Sequence, residues 1–274
     1  MKKLFLTSLL AVFAASGAQA ANVIDGNPLY MPRAGHFYSV TDLSSHTHVA
    51  NTADTVTLGE EFGYGISDKL GIMISTDVSE DEEFDAYGWD EFSVAGAYRF
   101  FDDGGWKADV VGAYGVGPVW AWHRPFLDKT NTDYLWTLGV RGGFVAHNWT
   151  IAGHAYVHYM NDESFNWNED KGFQGIHMTT LGLDGQYLID SKWNLVAGVE
   201  YTGFLDKEWY GIPGAKVENA GSWDGYFGVN YNIDATKFVG AYINGSMNHR
   251  GGTNADEWEF DDGFGFGVKF GIDF

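Results

Sequence analysis

Hydrophobic and polar residues alternate along most of this chain, most regularly at its end. Trp258, Phe260, Phe264, Phe266, Val268, Phe270, Ile272 and Phe274 share one parity, while Glu259, Asp261, Gly263, Gly265, Gly267, Lys269, Gly271 and Asp273 hold the other. Only Asp262 interrupts the apolar set, and a period of 2 kept over 17 residues is longer than an ordinary half-buried strand. The split recurs in Trp193, Leu195, Ala197, Val199 and Tyr201, in Trp223, Phe227, Val229, Tyr231 and Ile233, and from Trp106 through Val110, Tyr114 and Trp120 to Trp122. Trp and Tyr concentrate at the ends of these apolar faces, where a ring can keep its body in hydrocarbon and its polar edge among headgroups.

The connections between these stretches come in two kinds. Short polar turns fall near Ser67–Lys69, Asp102–Gly105, His147–Asn148, Asp190–Lys192 and Asp234–Thr236. Longer joints lie near 44–54, 79–88, 123–132, 160–173, 204–220 and 248–257. Five short and six long joints predict 12 strands in an all-β, antiparallel, up-and-down transmembrane barrel, with both termini at the short-turn end. The first strand, about Gly35 to Leu43, alternates poorly through His36, Phe37, Tyr38 and Val40, so ten strands with an N-terminal extension is the alternative.

The start of the chain is of another kind. Lys2 and Lys3 precede an apolar run from Leu4 to Ala15, and Ala18-Gln19-Ala20 supplies the small residues of a cleavage site. This predicts a secretory signal peptide over 1–20, with 21–274 as the barrel domain. No later apolar run is long enough for a membrane helix, which says nothing against strands of about 9 to 11 alternating residues.

Composition adds limits. There is no Cys, so disulfide and thiol chemistry are excluded; 37 Gly and only 5 Pro suit many strands and tight turns. The net charge is -21, and removing the two signal lysines makes it -21 - 2 = -23. Phosphate would be repelled, so nucleic acid is not an expected partner, whereas cations would be attracted. Solubility of the loops accounts for the same charge equally well.

The signal peptide, alternating strands, aromatic girdles and a terminal Phe274 backed by Ile272, Phe270 and Val268 together resemble the Gram-negative outer-membrane β-barrel proteins, over the whole mature chain. The resemblance is to the class and not to a subfamily. It implies export through the periplasm to the outer membrane, contact with its lipid and lipopolysaccharide, and a role for Phe270, Ile272 and Phe274 as a signal read by the barrel-assembly machinery.

In such a barrel the polar parity faces a lumen. The expected lining includes Glu61, Asp77, Glu91, Arg99, Lys107, Asp109, Arg141, Asp184, Glu200, Asp224, Glu259, Asp261 and Lys269, nine acids to four bases. An open lumen with that excess would favour cations weakly; the competing reading pairs the four bases with acids to fill the interior. Twelve strands about 4.8 Å apart and tilted about 40° give a backbone radius of roughly 12 Å and a bore on the order of 12 Å. Many inward glycines, such as Gly63, Gly182 and Gly267, either keep that bore roomy, admit an inserted loop or relieve strand curvature.

His154 and His158 share the inward parity, but about 13 Å of extended strand between them prevents joint ligation of one ion, so polar lining is the simpler reading. His46 and His48 could chelate a metal only with further ligands, and the acidic run Glu80, Asp81, Glu82, Glu83 and Asp85 lacks the spacing of a calcium loop. No metal site or cofactor is expected. Ser75, Ser93 and Ser246 have no His of matching depth, so neither a barrel-lipase nor an omptin-protease constellation is seen, and no enzymatic activity is expected.

Two functions follow: a porin-like passive channel for small hydrophilic solutes, or a closed structural or adhesive barrel acting through outside loops such as 160–173, with Phe165 and Trp167.

Overall fold

The computed structural model describes residues 26–48, 55–81, 86–118, 132–162, 176–205, 221–249 and 263–274. They form twelve strands: β1 (Phe37–His48), β2 (Thr55–Ser67), β3 (Leu70–Asp81), β4 (Ala86–Asp103), β5 (Trp106–Pro118), β6 (Thr132–Val145), β7 (Trp149–Asp162), β8 (Ile176–Leu188), β9 (Trp193–Phe204), β10 (Gly221–Asn232), β11 (Lys237–His249) and β12 (Gly263–Asp273). Each pairs antiparallel with its chain neighbours, and β1 pairs β12 from Tyr38↔Asp273 to His48↔Gly263, closing the barrel. Closure removes both sheet edges, as a lipid environment requires. The signal segment, Glu259, Asp261 and the loop bearing Phe165 and Trp167 lie outside the described residues.

The five short turns fall where alternation placed them. At Gly104 and Gly105 the backbone takes φ of +57° and +89°, which glycine adopts without the steric cost other residues meet. In the turn between β9 and its predecessor, the Asp190 carboxylate accepts the backbone N–H groups of Lys192 and Trp193, at 2.7 and 2.8 Å, and these hold its carboxyl below the usual carboxylate range.

The outer wall is apolar nearly all round: Phe62, Trp136, Leu138, Leu183, Trp223, Phe227, Phe264, Phe266 and Phe270 are exposed. Aromatic pairs gather at the short-turn rim, with Phe144 between Trp106 and Trp149, and Trp193 against Tyr231. A continuous apolar band bordered by aromatic rings is the surface a bilayer solvates.

β1 is a full strand, and the twelve-strand reading holds. Its poor alternation has a physical cause. Inward Tyr38 and Val40 are apolar because they form a buried cluster with Met73, joined by Tyr30 and Ala95. Outward Ser39 and Thr41 are polar because their hydroxyls donate to the two oxygens of Glu60, at 2.5 and 2.6 Å. Both faces of β1 therefore depart from the polar-in, apolar-out rule.

The interior contains a feature that no strand pattern announces. Residues 26–35 do not hang free below the barrel but cross its short-turn end from inside. Gly26 lies against Val196 and Asn230, Leu29 and Pro28 are fully buried, and Met31 and Pro32 lie over Gly71. Met31 packs on a second buried cluster of Ala97, Val111 and Tyr156. The chain then leaves past Ala34, bridged to Gly65, and enters β1. The occupant expected as an inserted loop is thus the N-terminal segment, and at this end it narrows a bore expected to be on the order of 12 Å.

Candidate functional site: the charged lumen wall

Residues directly opposite on antiparallel strands share a face, so ladder partners can be followed around the wall. One such row runs Arg99↔Asp109↔Arg141↔His154↔Gly182↔Glu200↔Asp224, from β4 to β10. A second runs Asn194↔Asn230↔Gly240↔Lys269↔Asp42↔Gly59↔Asp77↔Glu91, from β9 to β4 through the closure. Because strands tilt by about 40°, each step climbs about 3 Å along the barrel axis. Both rows start beside the short turns and end high on the wall, the first at Asp224 and the second at Glu91.

At the foot of the first row, Asp109 is fully buried and accepts Arg99 Nε at 2.8 Å, Arg99 Nη2 at 3.1 Å and Arg141 Nε at 2.9 Å. The second donors of both guanidinium groups turn to the N-terminal segment. Arg99 Nη2 donates to the Leu29 carbonyl at 2.5 Å and Arg141 Nη2 to the Tyr30 carbonyl at 2.9 Å. Asp109 thus bridges two cations, and each guanidinium gives a further donor to a main-chain carbonyl.

Further up, His154 lies between two acids, Nδ1 2.9 Å from Asp184 Oδ2 and Nε2 3.2 Å from Glu200 Oε2. Gly182 permits this, since a Cβ there would overlap the imidazole. Tyr226 donates to the other Asp184 oxygen at 2.9 Å. His158 sits above, joined to Thr137 at 2.8 Å and Thr180 at 3.0 Å, with the Tyr156 ring between the two imidazoles. Each imidazole is held by side chains of its own, His154 by two acids and His158 by two threonines.

In the second row Lys269 lies 3.6 Å from Asp42 and over the Tyr242 ring, whose hydroxyl donates to Asp42 at 2.9 Å. Glu61 takes the Tyr38 hydroxyl at 2.9 Å, and Gly63 admits that ring where a Cβ would collide with it. Asp224 takes the Ser222 hydroxyl at 2.9 Å. Asp77 faces inward against Gly59, and Glu91 opposes Asp77 in the ladder. Lys107 marks the rim instead of the bore, bonded to Asp102 at 2.8 and 2.9 Å.

At the closure, Phe270 is exposed on the outer wall, and Phe274 stacks on Phe37 at 6.1 Å. Ile272 pairs in the ladder with Ser39. His46 is also inward, against Gly263 and Gly265, and no cluster of three potential metal ligands exists among the described residues.

Sequence reasoning did not single out Asp42 or Tyr242, met Tyr38 only in a poorly alternating strand, and missed the Leu29 and Tyr30 carbonyls. Main-chain acceptors carry no sequence signal. The one pointer was the Asn27-Pro28 pair, which favours a turn, and the chain does turn there, the Tyr30 N–H donating to the Asn27 carbonyl at 3.0 Å.

Among solved structures, the COG4313 outer membrane channel from Pseudomonas putida F1 superposes with a TM-score of 0.64 at 10% identity, over 92% of this chain and 100% of that one. The translocator domain of the autotransporter NalP from Neisseria meningitidis gives 0.57 at 14% identity, over 97% of each chain. The NanC porin gives 0.55 at 10% identity, over 84% and 98%. No family model matches the sequence, and no curated protein does. The fold is that of the outer-membrane β-barrel proteins, with no subfamily singled out.

Proposed function

We propose that this chain, a twelve-strand barrel of the outer-membrane class, is a porin-like channel for small hydrophilic solutes with a weak preference for cations. The observation that supports it is the pair of ascending rows: ionisable side chains recur along the inner wall from Arg99, Asp109 and Arg141 through His154 to Glu200 and Asp224, and from Lys269 through Asp42 to Asp77. Acids predominate high in both rows, and Glu61 and Asp224 are held by hydroxyl groups instead of basic side chains. A lumen wall bearing excess carboxylate concentrates cations. The N-terminal segment narrows the passage at the short-turn end, so the unit conductance should be small.

Reconstitution of the folded full chain in planar bilayers tests this. Small, discrete conductance steps with a reversal potential displaced toward the cation equilibrium are expected. Absence of conductance in correctly folded protein overturns the reading.

The same segment favours a second reading, a closed barrel that acts through its outside loops. In that case the folded protein conducts nothing, and deleting loop 163–175 abolishes binding to a surface or partner.

A further inference from the structure

We propose that Ser246, His46 and Asn244 form an acyl-transfer site on the inner wall, toward the long-loop end, that cleaves acyl esters of small neutral or cationic alcohols. This goes beyond the channel reading and does not depend on conduction.

The site exists because β12 presents no side chain where it would separate its neighbours. Gly263, Gly265 and Gly267 are its successive inward residues there, and side chains of β11 and β1 meet across them. Tyr242 shows the crossing directly, donating over Gly267 to Asp42 at 2.9 Å. Higher on the same glycine strip lies the His46 ring. His46 Nε2 and Ser246 Oγ are both within 3.0 Å of the point a Cβ would take at Gly263. His46 Nδ1 and Asn244 Oδ1 are both within 3.0 Å of the corresponding point at Gly265.

The imidazole thus has a hydroxyl on its Nε2 side and an amide oxygen on its Nδ1 side, the order in which a serine nucleophile, its base and an orienting group act. Asn244 Oδ1 is buried and has no hydrogen-bond partner among the described residues, which leaves it open to Nδ1–H. The expectation that Ser246 has no histidine of matching depth is corrected here: Asn244, Gly265 and His46 share one ladder row, and Ser246 is the next inward residue above Asn244.

His46 Nε2 takes the hydroxyl proton as Ser246 Oγ bonds the acyl carbon, and gives it to the leaving alkoxide as the ester C–O bond breaks. Water, deprotonated by the same nitrogen, then cleaves the acyl-serine bond, which releases the acid and restores the hydroxyl. Asn244 is a positioning residue that keeps the lone pair on Nε2. Main-chain N–H groups around the site are engaged in the ladder, so no paired donors await the oxyanion and turnover is slow. Asp42 and Asp77, neighbours through Gly59 on the same wall, disfavour anionic esters. His46 stands nine residues beyond Phe37 on β1, about 23 Å up the barrel axis at a rise of 3.4 Å and a tilt near 40°, well above the N-terminal segment.

Covalent labelling of the folded full chain by a fluorophosphonate tests the site, because it needs no turnover. Attack by Oγ forms an O–P bond and expels fluoride, and peptide mass spectrometry locates the adduct. Ser246 should be labelled at least about 100-fold faster than in His46→Ala, the scale of general-base assistance. Ser75 and Ser93, bonded to each other at 2.6 Å, are internal controls that should stay unlabelled. Asn244→Ala should slow the reaction at least about tenfold and Asn244→Asp should restore it, a rescue that a purely structural role would not give. The β-sheet circular dichroism of each variant verifies its fold. No adduct at Ser246 in folded protein, or a rate unchanged in His46→Ala or in Asn244→Ala, overturns the proposal. None of these readouts uses conductance, so a barrel that conducts nothing can still pass this test, and a conducting one can fail it.

Discussion

The Arg99 guanidinium reaches the main-chain carbonyl of Leu29, 70 residues earlier, at 2.5 Å. That bond joins the barrel wall to the segment that crosses its floor. It depends on Asp109, which is fully buried beneath both arginines. Asp109→Ala would leave two buried guanidinium groups without their shared carboxylate, and a broken buried charge network costs about 3–5 kcal/mol. Urea or thermal unfolding in detergent should show a loss of that order; a loss below about 1 kcal/mol would mean that water compensates the arginines.

Gly182 makes room for the His154 ring between Asp184 and Glu200. Gly182→Ala should displace the imidazole and cost about 1–3 kcal/mol by overpacking. The His154 ring resonances in NMR of the folded barrel should shift, while those of His158, bonded to Thr137 and Thr180, stay nearly unchanged.

Glu60 faces the outer wall, flanked by exposed Leu58 and Phe62, and among the described residues Ser39 and Thr41 donate to it. Four residues separate it from Tyr64 at the short-turn rim, about 10 Å along the barrel axis at a rise of 3.4 Å and a tilt near 40°. At such depth Glu60→Lys should destabilise the barrel in a bilayer by about 2–4 kcal/mol. Glu60→Leu should leave stability equal or higher, and a large loss in that variant would show the hydroxyl–carboxylate group to be structural.

Phe274 and Phe37 exchange both backbone hydrogen bonds, each at 2.9 Å, and stack their rings outside the closure. Phe274→Ala keeps the bonds and loses the rings, so purified protein should lose only about 0.5–1.5 kcal/mol. If Phe274 is also the assembly signal its class suggests, the amount of folded barrel in the outer membrane should fall far more than that stability change explains. Parallel falls would assign the residue to closure alone.

The Asp190 carboxyl, held low by two backbone N–H groups, gives a pH dependence with a definite sign. Its folded value lies below its unfolded one, so its contribution is complete above the ordinary carboxylate range and disappears as pH falls through the lowered value. Hydrogen exchange at the Lys192 and Trp193 amides should accelerate on acidification, and Asp190→Ala should remove that pH dependence.

Alternation from Phe264 to Phe274, and in β9 and β10, was enough to place strands, turns and the inward face, because a closed barrel between lipid and lumen imposes period 2 on every strand. Arg99, Asp109, Arg141, His154, Glu200 and Asp224 were legible as inward residues for the same reason. Their union in one row was not, since register between strands follows from turn geometry, bulges such as that at Arg99/Phe101, and closure. β1 was obscured because Tyr38 answers to Tyr30 and Ser39 to Glu60, neither a neighbour in sequence. The sequence by itself determined the barrel and the polarity of most faces, and predicted twelve strands with ten as the alternative. Only the tertiary structure decided what fills the floor, because Leu29 and Tyr30 take part through main-chain carbonyls that every residue shares, and their partners lie 70 and 111 residues away.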